Sequence, residues 1–222
     1  MIDPQIILLN KTKDILSILR EDSKEINEKN SFLYHLLHKD DNGNEIKIEN
    51  QKIYTEAKEI FSRKKEDKRY IDSFIGFNRQ RTQQPSIHIL MPNESTASIG
   101  IGDNLGYKDL IESFEPNEAF EQYSNNYSAT FNLILSSNVL LEILIMYNTF
   151  KACFIALREQ FEDDGFQNIK ISGADIQIQQ DIMPVDMIHR TLTISFTYDF
   201  NTPSLFRKKF LKKINFTPTM TS

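Results

Sequence analysis

Cysteine occurs once in 222 residues, at Cys153, which excludes an internal disulfide and any paired-thiol zinc motif. A reducing compartment fits that usage best. Glycine is also scarce, with 7 residues, so a glycine-built nucleotide cradle has little to draw on. A basic excess is missing as well: the formal net charge is −5, which removes the global electrostatic case for nucleic-acid binding. The opening MIDPQIILLN lacks the basic start and small-residue cleavage site of a signal peptide. No apolar run reaches the ~20 residues that a membrane span needs.

What is present reads as a globular chain, because 40% hydrophobic and 26% charged residues suffice for a core with a solvated surface. Ile, Asn and Lys are abundant, a bias that suggests an AT-rich genome. Residues 1–38 carry Ile6, Ile7, Leu9, Ile15, Leu16, Ile18 and Leu19 near helical spacing, and the pattern predicts helix. Asp40-Asp41-Asn42-Gly43-Asn44 then reads as a tight turn, with YHLL and EIKIE as the short strands of its hairpin. Helix returns over 51–70, where Ile53, Ala57, Ile60 and Phe61 share one face. These 84 residues form an N-terminal helical region with a possible hairpin.

The second region, 85–203, has a different grammar. Ser86 to Met91 predicts a strand stopped by Pro92, and residues 93–126 read as a long polar, turn-rich loop. Tyr127 to Leu135 alternates as a second strand. Asn138 stands as the N-cap of a largely apolar helix that runs to about Phe161 and stops at Gly165. Its polar interruptions, Glu142, Asn148, Lys151, Arg158 and Glu159, argue for burial against a sheet. Asn168 to Gln179 alternates again, with a phase shift at Gly173-Ala174 that a β-bulge would produce.

The most regular pattern is IHRTLTISFTYDF, from Ile188 to Phe200, which predicts a long strand. Ile188, Leu192, Ile194, Phe196, Tyr198 and Phe200 take one face, against the long helix. His189, Thr191, Thr193, Ser195, Thr197 and Asp199 take the other. The loop around Met183-Pro184 joins this strand to the preceding one as an antiparallel hairpin. Residues 204–222 form a basic tail. The expected fold class is α+β: a mixed or antiparallel sheet flanked by a long buried helix, with an N-terminal helical region and extended loop and tail arms.

Candidate chemistry is sparse. Gly100, Gly102 and Gly106 miss the dinucleotide-binding spacing by one residue and begin several residues beyond their strand. Aligned on Gly43, a calcium loop would start at His38 and place Glu45 where an apolar residue belongs. His35, His38, His88 and His189 lack further ligands at metal spacing, and the first two suit an exposed or capping role. Cys153 sits within the apolar helix as a small hydrophobe, and Glu162, Asp163 and Asp164 read as a solvated helix end. No catalytic residue, metal or cofactor is assigned, and the chain is read as not an enzyme. The weakest alternative is an enzyme with a site in the 93–126 loop. Arg207, Lys208, Lys209, Lys212 and Lys213 alternate with Phe206, Phe210 and Leu211, which suits docking on an acidic neighbour. The alternative is a small nucleic-acid-binding or adaptor module that uses this tail.

The run YSATFNLILSSN, VLLEILIMYNTFKACFIALREQF, NIKISGADIQIQQ and HRTLTISFTYDFNTP resembles the neck proteins of tailed bacteriophages, nearest to tail-terminator and head-to-tail connector ring proteins. The resemblance covers roughly residues 86–203, and the AT-rich composition leans toward a crAss-like phage. It implies a structural virion protein, made in the host cytoplasm, that forms a ring of about six or twelve copies. Its partners would be itself, a portal or adaptor ring, tail proteins, and genomic DNA passing through the lumen without specific binding. No membrane is implied. Under that reading the assembly contacts are Thr191, Thr193 and Thr197, Met183 and Pro184, and Phe206, Arg207, Lys208, Lys209 and Phe210.

Overall fold

The computed structural model describes residues 3–38, 49–76, 84–97, 109–112, 119–175 and 187–203. The expected turn at Asp40–Asn44, its EIKIE flank up to Ile48, and the glycines of 98–108 lie outside them.

The first helix, α1 (Pro4–Asp22), begins where Asp3 accepts the Gln5 N–H at 2.7 Å and Pro4 occupies a position that needs no N–H. Leu8, Thr12, Ile15, Leu16 and Leu19 recur at helical spacing and are buried. The expected helix over 1–38 is in fact two. Ser23 Oγ donates to Arg20 O, the chain turns, and α2 (Phe32–His38) starts afresh. Asp22 causes the restart, because its carboxylate accepts from Ser31 Oγ at 2.8 Å and from the Phe32 and Leu33 N–H groups at 2.7 and 3.0 Å. A carboxylate held this way satisfies otherwise orphaned amides at the helix start. The YHLL segment is therefore helical and is no hairpin strand. The third helix, α3 (Glu49–Ser62), buries Tyr54, Ala57, Ile60 and Phe61 and ends eight residues before the predicted limit.

Among the described residues the sheet has six strands: β1 (Asp72–Ile75), β2 (Ser86–Thr96), β3 (Asp109–Glu112), β4 (Ala119–Ser137), β5 (Phe166–Asp175) and β6 (Ile188–Pro203). Their order is β1-β2-β4-β6-β5, with β3 also on β4. Only the β1–β2 pair is parallel. The fold is α+β, as expected from the residue pattern, and the β5–β6 pair is antiparallel.

Several boundaries move. Pro92 does not stop β2; the register slips between Leu90 and Asn93 and pairing resumes to Thr96. A proline at such an irregularity removes no ladder bond. Residues 93–96, 109–112 and 119–126 belong to strands, so the described part of the expected loop over 93–126 is sheet apart from Ala97. Backbone pairing makes these segments strands, and pairing leaves no apolar alternation to read. The bulge of β5 falls between Gln167 and Lys170, where Asn168 takes φ 55, and not at Gly173-Ala174. At Gly173 the Tyr147 hydroxyl packs over the backbone, 1.8 Å from where a Cβ would stand, so a larger residue there would displace that side chain.

Between β4 and β5 the chain forms α4 (Leu140–Ala156) and α5 (Arg158–Asp163), with the break at Leu157. Gly165 takes φ 93 just beyond α5, as a stop signal should. Asn138 is not the cap. Val139 holds that position, its N–H donates to Ser137 Oγ at 3.1 Å, and Asn138 Oδ1 accepts from Arg69 instead.

All helices pack on one face of the sheet. Ile87 and Ile89 of β2, Ala129, Phe131, Leu133 and Leu135 of β4, and Leu192, Ile194, Phe196 and Tyr198 of β6 point into that layer and are buried. Phe131 stacks on Phe196 at 5.3 Å, and Phe166 meets Phe196 at 4.3 Å. The apolar face of β6 thus packs beneath α4, as expected, while its ends Ile188 and Phe200 remain 38% and 41% exposed. Leu8, Leu16, Tyr54 and Phe61 join the same cluster, so α1 and α3 share one core with the sheet.

A buried ionic contact fastens the helices to the sheet. Glu142, 2% exposed in the first turn of α4, accepts from Arg63 and Arg69 of the turn after α3, and from Ser137 Oγ of β4. Removing one partner of such a contact leaves charge buried without compensation. Glu142→Ala is expected to lower stability by about 3 kcal/mol, measured by urea denaturation. An unchanged midpoint would refute the role given to this contact.

Candidate assembly surface

The face of the sheet opposite the helices carries the residues singled out on β6. Strand alternation sets Ser128, Thr130 and Asn132 of β4 beside Thr197, Ser195 and Thr193 of β6. Their side chains bond to one another. Thr193 Oγ1 donates to Asn132 Oδ1 at 2.9 Å, and the Thr130 and Ser195 hydroxyls lie 3.0 Å apart. Thr197 Oγ1 accepts from Asn168 Nδ2 at 3.1 Å and donates to Gln167 O at 3.3 Å. Expected as an uncommitted polar surface, this face instead satisfies much of its own hydrogen bonding. Its members are accordingly half-buried.

Thr191 departs from the expectation altogether. It is 6% exposed, opposite Ile134 on β4 and Ala174 on β5, and so is withdrawn from any contact surface. Thr193 and Thr197 remain half-exposed. Met183, Pro184, Phe206, Arg207, Lys208, Lys209 and Phe210 lie outside the described residues, and the structure brings none of them to a place.

At the Thr191 end the polar face holds a group that the residue pattern did not flag. Ser86, His88, Ser136 and His189 are all at most 5% exposed. The Ser86 hydroxyl lies 3.0 Å from His88 Nε2, and the Ser136 hydroxyl 2.7 Å from His189 Nδ1. His88 Nδ1 lies 3.0 Å from Gly76 O, and Phe74 stacks on its ring at 5.8 Å. Burial holds the His88 imidazole below its ordinary 6.5, against the opposing pull of the Gly76 carbonyl. The signal was present in the sequence: Ser86 and His88 stand two apart on a strand, hence on one face. These serine–histidine pairs bond within the sheet and present no accessible nucleophile.

Other candidates fall into structural roles. His35 Nε2 lies 2.8 Å from Lys29 O on an exposed turn. Cys153 is buried in α4, and burial, reinforced by the Asp22 charge, pushes its thiol from 9.0 to about 12. Asp164 pairs with Lys11 at 3.0 Å, and Glu162 with Arg158 at 3.4 Å. Among the described residues no three His, Cys, Asp or Glu side chains gather as a metal site, and no helix is long and apolar enough to cross a membrane.

The β4–β6 pairing also continues past the last described core residues of the two strands. β4 is 19 residues long, about 60 Å when extended. It pairs with β6 from Gln122↔Pro203 to Ser137↔Ile188. On its other edge β2 covers Tyr127 to Ser136 and β3 covers Ala119 to Gln122, in tandem. The described core residues of β4 begin at Ala129, and those of β6 end at Tyr198. Beyond them the pair continues as a ribbon carrying β3, with Tyr127 and the exposed Phe200 in contact at 6.0 Å. The chain matches no known family model, and no curated protein is similar to it.

Two solution properties follow. Raising a thiol by three pH units lowers its thiolate fraction about a thousandfold, so Cys153 should resist a disulfide reagent at pH 8 in the native state and react promptly in guanidinium. Rapid native labelling would contradict its burial. His88 is held neutral in the fold, so the unfolded chain takes up its proton first as pH falls. Stability should be full above 6.5 and decline below it. His88→Gln should flatten that decline in denaturation curves between pH 7 and pH 5, and an unaltered slope would exclude His88 as its source.

Proposed function

We propose that the protein is a structural subunit of an oligomeric ring in the neck of a tailed bacteriophage, joining the portal or connector to the tail. The observation that carries this reading is the β4–β6 ribbon with β3, which continues past the core and offers paired backbone, polar side chains and an exposed aromatic beyond the globular part. A rigid core supplies the contact between copies, and a ribbon of this length reaches a neighbouring ring. The one-sided sheet adds support. Helices occupy one face, and the middle of the opposite face carries small hydroxyl and amide side chains that bond to each other.

Net acidity, with a formal charge of −5, suits a channel component that lets DNA pass without gripping it. The partners under this reading are further copies of the chain, the rings above and below, and the genome in transit. Light scattering coupled to size-exclusion chromatography is expected to give a closed oligomer, and negative-stain images to give rings. A strictly monomeric protein that also fails to join assembled particles would overturn the reading.

A further inference from the structure

Among the described residues the sheet narrows at a single row. Thr96 of β2, Tyr127 of β4, Tyr198 of β6 and Phe166 of β5 stand side by side in register. Thr96 is the last β2 residue in register with β4, followed only by a bond from Ala97 N–H to Asn126 O at 2.9 Å. Phe166 is the first residue of β5. Beyond that row β4 and β6 run on to Gln122↔Pro203, joined among the described residues by β3 alone, at Ala119 to Gln122. A two-stranded ribbon twists more than a wide sheet and is less stable on its own. This row therefore decides whether the extension hinges or holds one direction.

A side-chain bond crosses the sheet at this point. Tyr198 Oη on β6 donates to Glu94 Oε1 on β2, with β4 between them. Two strand spacings separate β6 from β2, about 10 Å, and two long side chains leaning toward each other close that gap. Glu94 is in register with Ala129, and Tyr198 with Tyr127, two residues along the same face of β4. Ala129 therefore stands between them, fully buried and the smallest of the helix-side row that includes Tyr127, Phe131, Leu133 and Leu135. A large side chain at Ala129 would stand in the path of the bond. Burial, reinforced by the hydrogen bond to Glu94 and its charge, pushes the Tyr198 hydroxyl above its ordinary 10.0. The phenol stays protonated and remains the donor.

Aromatic rings carry the attachment into the core on one side and along the ribbon on the other. Tyr198 lies 6.1 Å from Phe196 and 6.4 Å from Phe166, and Phe166 lies 6.1 Å from Phe161 of α5. In the other direction Tyr198 lies 6.1 Å from Tyr127, which meets Phe200 at 6.0 Å. These separations are those of interacting rings. The rings run unbroken from a helix, across the narrowing row, to the exposed Phe200 of the ribbon. On the β2 side α1 adds a further hold, because Gln5 Nε2 donates to Ile89 O at 3.2 Å.

We propose that the Tyr198–Glu94 bond, passing over Ala129 and backed by these rings, is a brace that fixes the direction in which the β4–β6 ribbon leaves the core. The ribbon is then a rigid arm, and Tyr198 and Glu94 are positioning residues that act through it. The inference rests on the ring reading above for its use alone. An arm of fixed direction is already organised for its contact with a neighbouring ring, which lowers the ordering cost of that contact.

Pulsed electron-spin distance measurement tests it on the full-length protein, with nitroxides at Lys13→Cys on the exposed side of α1 and at Thr202→Cys near the end of β6. Cys153 is buried and stays unlabelled. Labelled chains are diluted in unlabelled ones, so that distances within one chain are read. The otherwise unsubstituted protein should give a single narrow distance peak. Tyr198→Phe, which keeps the ring and loses the hydroxyl, and Glu94→Ala should each lose that peak to a broad distribution, while circular dichroism shows the core still folded. Glu94→Gln, whose side-chain carbonyl still accepts, should keep it. A narrow peak retained in both Tyr198→Phe and Glu94→Ala would overturn the brace, and so would a broad distribution in the otherwise unsubstituted protein. A protein that proves monomeric, yet shows the narrow peak and its loss, would remove the ring reading and leave the brace standing.

Discussion

The buried carboxylate of Glu142 ties the molecule together. It lies at the junction of β4 and α4, where Ser137 ends a strand and Val139 starts a helix, and it receives Arg63 and Arg69 from the turn after α3. Those arginines are the last polar step before β1. One contact therefore sets the start of the central helix, the end of the longest strand and the position from which the sheet's edge strand departs. The Arg63 guanidinium also donates to Arg69 O at 3.1 Å, and Arg69 reaches Asn138, so the turn is held along with the carboxylate. Buried charge is costly in a protein interior, and it persists where several donors satisfy it together.

From that junction follows the one-sided architecture. Helices and aromatic side chains fill one face, with Phe196 in contact with both Phe131 and Phe166, while the opposite face carries hydroxyl and amide pairs. A sheet covered on one side ordinarily exposes polar residues that water satisfies. Here much of the satisfaction is internal. The edges differ in kind. β1 holds its outward groups with Asp72 and Arg20, whereas β5 guards its first half with a bulge and leaves its second half smooth.

Much of this was legible in the residues. The alternation of β6, the apolar faces of α1 and α3 and the Gly165 stop follow from side-chain periodicity and backbone preference, whereas the apolar helix expected to run to about Phe161 breaks at Leu157. The errors share one cause. Asp22 divides the first helical region by reaching Ser31, Phe32 and Leu33, contacts nine to eleven residues away that no periodicity records. The polar stretch 93–126 was read as loop because pairing with β6 and β3 leaves no apolar alternation. Asn138 lost its capping role to an arginine distant in sequence. For the surface, the threonine face was correctly placed on one side of β6, but Thr191 proved buried and its neighbours proved bonded.

The sequence by itself determined the helical character of α1, α3 and α4, the strand character of β6, which face of each strand and amphipathic helix is apolar, and that the single thiol would be inert. These are local properties, set by alternation, helical spacing and the chemistry of each side chain. Only the tertiary structure decided the strand order, the burial of His88 and His189 beside their serines, the fastening of the turn after α3 to α4 through Glu142, and the opposed directions of the two sheet edges. Each of those depends on which distant segments become neighbours, and a pairing between strands far apart in the chain leaves no imprint on either strand alone.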